Sequence, residues 1–203
     1  MPPSRREDLI DAAMRVFYRH GFQASALDSI LEEGGLSRMT LYSHFKSKDE
    51  LLIAALRRRD EIFRNRMVKF VESRAKSPRE RLLAVFDYHE DWFAGDEFCG
   101  CMFINTAAEF SDPRSAPRQV AAEHKEAIVR YLRELCEACA LHDPDGTAEQ
   151  LNILLEGAIV TAQVVGKVRN GGADPGAPAR VAKTMAERII AGAERSEAAT
   201  VTT

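Results

Sequence analysis

Apolar residues recur along this chain at helical spacings of three and four. In "EDLIDAAMRVFYRHG", Leu9, Ala13, Val16 and Phe17 form one stripe, and Ser4 with Glu7 supplies a capping box ahead of it. Gly21 closes that helix, where a positive φ costs glycine least. Ser25 is placed to cap "ALDSILEEGG", a two-turn helix closed by Gly34 and Gly35, and Ser37 to cap "RMTLYSHF". Ser47 with Glu50 opens a long helix running from about Lys48 to the low seventies. Pro78 starts the next, with Leu82, Val85, Phe86, His89 and Phe93 on one face. A short helix near 102–110 and a longer one over about 117–141 follow. Thr147 with Gln150 reads as the cap of a helix near 148–169, and a last helix covers about 178–194. Alternating β-branched runs are few, and no Asn-Gly or Asp-Gly hairpin separates two of them. The pattern predicts an all-α fold of about nine helices, with a frayed tail at 196–203.

Two segments depart from an ordinary surface helix. The first is "GLSRMTLYSHFKSKDELL", residues 35–52, in which Thr40, Tyr42, Ser43 and His44 stand between two apolar positions, Leu41 and Phe45. A helix, a tight glycine-containing turn and a second helix begun by a Ser cap make a helix-turn-helix. In that motif the second helix packs one face and offers the other to the major groove. Leu41 and Phe45 then pack inward with Ile30 and Leu36, while Arg38, Thr40, Ser43 and His44 face outward with Tyr42 at the edge. Lys48 adds a cation at the anion-attracting start of the next helix. The second unusual segment is the helix near 148–169. Its polar Asn152, Glu156, Gln163 and Lys167 share a narrow sector, and apolar residues from Leu151 to Val168 fill most of the rest. An apolar face wider than about 100° calls for burial on two sides. The last helix repeats the theme. A two-fold homodimer through Leu154, Ala158, Ala162, Val165, Val181, Met185 and Ile189 is preferred over a central helix in a monomeric bundle.

Composition changes this picture little: 203 residues, 45% hydrophobic and 29% charged, suit one or two ordinary globular domains. Charge is uneven. Residues 1–69 hold 13 Lys/Arg against 10 Asp/Glu, while the remainder holds 15 against 21, which hints at an anionic partner at the N-terminal end. "LRRRDEIFRNR", residues 56–66, lies past the recognition segment and reads as a solvated helix face. No h-region and no run approaching the roughly 20 apolar residues of a membrane span is present, so a cytoplasmic protein with no membrane partner is expected. The four cysteines, Cys99, Cys101, Cys136 and Cys139, default to reduced core thiols. The rival readings are a thiol- or metal-responsive sensor and a helical thiol enzyme. A zinc ribbon wants two C-x-x-C knuckles on turns, however, and here one pair is C-x-C and the other sits inside a helix. No Ser-His-Asp spacing, HExxH or phosphate-binding glycine loop occurs, and neither enzyme activity, cofactor nor metal is expected.

The stretch "LIDAAMRVFYRHGFQASALDSILEEGGLSRMTLYSHFKSKDELLIAAL", residues 9–56, resembles the N-terminal domain of the tetracycline-repressor-like (TetR) family of transcriptional regulators. The resemblance implies an all-α homodimer on a palindromic double-stranded DNA operator, usually a repressor released by a small-molecule effector. It implies a helix-turn-helix domain over 1–48 and an effector-binding and dimerisation domain over 49–195. Carried over by position, Ser25, Thr40, Tyr42, His44 and Lys48 match residues that hold the DNA backbone, and Arg38, Met39 and Ser43 match those that read base edges; Ser37 lies beside them. Met39 departs from the small residue common there, so either a thymine-methyl contact or simple bulk at the groove wall fits it. Beyond residue 56 the likeness is looser, carried by "GCMFINTAAEF" and "LEGAIVTAQV". A mostly apolar effector pocket with a few polar groups is expected among Phe86, His89, Trp92, Phe93, Met102, Phe103, Asn105 and Glu109. Within that set His89 is read first as a satisfied core histidine, the aromatics first as core, and Glu109 first as a solvated carboxylate.

Overall fold

In the computed structural model the first helix begins as its capping box dictates: Glu7 N–H donates to Ser4 Oγ at 3.3 Å, and Ser4 N–H to Glu7 Oε2 at 3.0 Å. The structure describes residues 4–166 and 174–200, with side chains to 194. The expected end of the helix near 169 and most of the glycine-rich link after it lie outside them. Nine α-helices make up the described chain, with no strand: α1 (Arg5–His20), α2 (Leu27–Gly34), α3 (Arg38–His44), α4 (Lys48–Arg74), α5 (Pro78–Ala94), α6 (Met102–Glu109), α7 (Ala116–Ala138), α8 (Pro144–Thr161) and α9 (Ala177–Thr200). A π-helical turn over Ala162–Gly166 follows α8.

Two starts differ from expectation. Ser25 does not cap α2; Ala26 holds that position without a side-chain bond. Ser25 is buried, and its hydroxyl donates to the Gly21 carbonyl at 2.5 Å, closing the α1–α2 turn. Nor does Thr147 with Gln150 begin α8. Asp143 caps it a turn earlier, accepting from Gly146 N–H at 3.0 Å, with Pro144 pre-set at the first helical position and Thr147 buried. The last helix also continues past the end expected near 194.

The chain divides into two compact units. One takes the residues through 64 together with 101–124; the other takes 65–100 and the residues from 125 onward. In the first, α1 buries Leu9, Ile10, Ala13, Val16 and Phe17, against which α2 and α3 pack. The turn between α2 and α3 is tight because Gly35 adopts φ 60°, ψ 39°, letting Leu36 N–H reach Leu31 O at 2.8 Å. Gly34 permits close approach: a Cβ there would lie 3.1 Å from the Ala12 Cβ. This unit also holds a buried polar group, His124, whose ring stacks on Phe103 at 3.7 Å between centroids. Its Nδ1 lies 2.7 Å from Asp60 Oδ1, and Arg64 donates to both oxygens of the same carboxylate at 2.8 and 2.7 Å.

In the second unit α9 packs on α8 and α5. Ion pairs join these helices and α7: the partly buried Lys183–Asp87 at 2.6 Å and Lys125–Glu156 at 2.7 Å, and the exposed Arg180–Glu90 at 2.5 Å. Trp92, Phe93 and Phe98 form an aromatic cluster with centroids 5.1–5.6 Å apart. His89 lies buried beside them with Nδ1 2.8 Å from the Val85 carbonyl.

The Asp60 group generates a pH prediction. Burial would raise its carboxyl, but hydrogen bonds from His124 and Arg64 outweigh that and hold it far below the usual carboxylate range. A depressed folded-state pKa contributes stability above the unfolded value near ~3.9 and loses it as pH falls. Asp60→Asn should therefore flatten the acid limb of the stability–pH curve below about pH 5, measured by urea unfolding from pH 7 to 3.

Candidate nucleic-acid interface

The face that α3 turns outward follows from two anchors. Leu41 and Phe45 are 3% and 2% exposed, so they fix the rotation of a helix only 7 residues long. Everything off that stripe is then presented to solvent. Ser37, Arg38, Met39, Tyr42, Ser43 and His44 are all exposed, with Met39 at 82% and Tyr42 at 59%; Thr40 is half-buried. Tyr42 is thus no packed core aromatic. Ser37 caps the helix by accepting from Thr40 N–H at 3.1 Å, and its hydroxyl lies 2.9 Å from that of Thr40. The Ser43 hydroxyl donates back to the Thr40 carbonyl at 2.8 Å.

Three further residues assigned to DNA by resemblance have partners outside α3. Ser25 is buried in the α1–α2 turn, as described. Lys48 Nζ donates to the Phe22 carbonyl at 2.5 Å and sits 4.1 Å from the Phe22 ring centroid. Burial lowers its pKa, against the raising effect of Asp49 and Glu109. Arg38 Nη2 donates to both oxygens of Asp28 at 2.7 Å each.

The residues expected to line an effector pocket divide between the two units. Phe86, His89, Trp92 and Phe93 belong to one, with Phe86 and Phe93 fully buried. Met102, Phe103, Asn105 and Glu109 belong to the other, with Met102 and Phe103 buried. Glu109 is half-buried and bonded to the backbone. Its Oε1 accepts from Phe22 N–H at 3.0 Å and its Oε2 from Gln23 N–H at 2.7 Å. The peptide joining Phe22 to Gln23 is thereby held at both ends, its N–H (that of Gln23) by an anion from α6 and its carbonyl by a cation from α4. Sequence reading missed this, because 87 residues separate Glu109 from Phe22.

In the second unit burial disfavours the thiolate of Cys136 and Cys139. Burial pushes Cys136 up to about 12, helped by Cys139 and Glu137, and burial raises Cys139 as well. Cys99 is exposed and Cys101 buried. Among the described residues no group of three or more His, Cys, Asp or Glu could hold a metal ion, and no helix is long and apolar enough to cross a membrane.

An exposed polar recognition helix set by two apolar anchors, after a left-handed glycine turn, defines a helix-turn-helix DNA-binding protein. Comparison with known proteins agrees. Residues 9–55 match the family described as bacterial regulatory proteins, tetR family, and residues 78–171 match the tetracyclin repressor-like C-terminal domain. Among relatives, the HTH-type transcriptional regulator BetI of Rhizobium meliloti is 29% identical over 79% of this chain and 78% of its own. The HTH-type transcriptional regulator YjdC of Escherichia coli is 23% identical over 76% and 81%. Among solved structures, a TetR-family regulator from Streptomyces coelicolor superposes with TM-score 0.82 at 24% identity, covering 93% of this chain and 95% of that one. A putative regulator from Streptomyces avermitilis gives 0.77 at 29%, covering 95% and 99%. The chain belongs to the TetR family and is a DNA-binding transcriptional regulator.

The two bonds to Glu109 carry a charge, and such bonds contribute about 1.5–3 kcal/mol when desolvated, less at this half-buried position. Glu109→Ala should destabilise the protein by about 1–3 kcal/mol and speed amide exchange at Phe22 and Gln23 above that of the neighbouring α1 amides. Unchanged exchange at those two amides would refute the clamp.

Proposed function

We propose that this regulator is a repressor that binds a palindromic operator as a homodimer and leaves it when a small-molecule effector binds. Residues 1–48 read the DNA in this proposal, and residues 49–195 sense the effector and dimerise. The observation that carries the reading is the outer face of α3, where polar and long side chains stand exposed around a fully seated Leu41 and Phe45. Hydroxyls of Ser37, Thr40 and Tyr42 and the His44 imidazole suit phosphate oxygens, while Arg38, Met39 and Ser43 are assigned to base edges. Lys48 contributes its charge at the start of α4, where the helix dipole already favours an anion. Effector binding that favours a second conformation weakens DNA binding by its differential affinity for the two, and a coupling of ~1–3 kcal/mol changes operator affinity about 5- to 150-fold.

Support for a dimer comes from an apolar face that one protomer leaves open. Ile153 is 67% exposed, Val164 65%, Val181 62% and Met185 47%, and Val160 is exposed as well. Ile153, Leu154, Val165, Val181 and Met185 border one groove between α8 and α9, with Ala158 and Ala182 at its floor. The expected contact set of Leu154, Ala158, Val165, Val181 and Met185 lies on this groove; Ala162 is buried and Ile189 half-buried. Val181→Asp should convert a dimer into a soluble monomer at micromolar concentration by sedimentation equilibrium, and weaken operator binding with it. A wild-type monomer would overturn the assignment.

Selection of bound duplexes from random DNA tests the reading itself, giving half-site and spacing together. Half-sites about 34–36 Å apart, or a small multiple, are expected. On the selected duplex Arg38→Ala should cost ~1–3 kcal/mol per half-site and relax one base pair in each. Tyr42→Phe should weaken selected and random duplexes alike. Reversed effects would exchange the two roles.

A further inference from the structure

Asp28 places a carboxylate on the surface that meets a polyanion. It stands in the first turn of α2, with its side chain 68% exposed, and both its oxygens engage Arg38 Nη2 at 2.7 Å, ten residues on across the turn. Arg38 is itself 62% exposed, and its Nε and Nη1 make no hydrogen bond among the described residues. Folding stability does not account for the pair, since exposed ion pairs of this kind contribute little. The start of a helix favours an acidic residue, but that preference is equally met by carboxylates turned away from DNA.

What the pair does supply is direction and neutrality. An isolated arginine on a recognition helix has a long, freely rotating stem and is drawn to any phosphate within reach. Tethered through one nitrogen, the guanidinium is biased toward one bearing and still has donors on Nε and Nη1. Coupled to a carboxylate, it carries no net charge to exchange for counterions on random sequence. The pair therefore gains little from the backbone and keeps its remaining donors for an acceptor on a base edge, such as guanine O6 or N7. We propose that Asp28 is a specificity-determining positioning residue, which aims Arg38 at the base edges and withholds it from the phosphates. This rests on the assignment of Arg38 to a base edge made above, and the two are separable by experiment.

The test uses the full-length protein, duplexes selected from random DNA by the wild type, and random duplexes of the same length. Binding is measured over a salt series for Asp28→Ala, Asp28→Asn, Arg38→Ala and the Asp28→Ala/Arg38→Ala double variant. Both Asp28 variants should melt as the wild type does. Each should bind random duplexes more tightly and with a steeper salt slope, by ~0.9 for each phosphate the released arginine takes up. Each should also lose on the order of 10-fold in the ratio of selected to random affinity, at the low end of what a specific base contact supplies. The base pair that relaxes should be the one that Arg38→Ala relaxes, and removing Asp28 in the Arg38→Ala background should change that preference no further. If the Asp28 variants keep wild-type base preference while Arg38→Ala relaxes it, Arg38 reads without help and this inference is wrong. If Asp28→Ala alters preference even without Arg38, the carboxylate contacts a base itself and the positioning role fails. If Arg38→Ala leaves base preference intact, the assignment of Arg38 falls first, and the inference falls with it.

Discussion

The peptide of Phe22 is the point on which the DNA-reading part of the molecule turns. In the unit that joins Phe22 to Gln23 the N–H is held by Glu109 and the carbonyl by Lys48, while the Phe22 ring lies against Phe17 at 5.3 Å and Phe110 at 5.1 Å. The bend that ends α1, the start of α2, the N-terminus of α4 and the C-terminus of α6 therefore share one residue. Gly21 makes the arrangement possible, since at φ 78° it leads the chain away from α1 and a Cβ there would come within 3.0 Å of Glu109 Oε1. Two opposite charges on one neutral peptide satisfy one another's field through it. Each is half-buried, so removing either leaves the other with a backbone group to satisfy and a charge less well compensated.

Much of this chain could be read from its letters where the relevant physics is local. The capping boxes at Ser4, the left-handed turn at Gly35 and the anchors Leu41 and Phe45 all depend on residues within about four positions, and each stands as the sequence implied. The polar face of α3 follows from those anchors without further assumption. Local reading failed where two signals competed. Ser25 and Thr147 were each plausible caps, yet Ser25 was drawn to the Gly21 carbonyl, and Asp143 followed by Pro144 made a stronger start than Thr147.

Partners distant in sequence were invisible for a different reason. A carboxylate such as Glu109 has the same local signature whether it faces water, a ligand or a backbone amide 87 residues away. Nor does the sequence show that Lys48 donates to the Phe22 carbonyl, 26 residues back. The Asp28–Arg38 pair was within closer reach. An acidic residue opening one helix of a helix-turn-helix and a basic residue opening the next are brought together by the tight turn, so opposite signs at those two starts carry information.

Specific DNA binding by such a protein needs attraction that is strong on the right sequence and limited elsewhere, and the charge pattern bears on both. The N-terminal 69 residues carry a small excess of positive charge, while the rest of the chain is acidic overall. A strongly basic head would bind any duplex well, because phosphate contacts dominate affinity without carrying sequence information. Here the outer face of α3 offers mostly neutral donors, and its arginine is paired. On the proposed role of the Asp28–Arg38 pair, affinity for random DNA would be held down, and the burden would move to hydrogen bonds that form only when base edges match. In the proposed dimer two half-sites would count together. Each single contact can stay modest while the difference between operator and random sequence grows with the number of half-sites engaged.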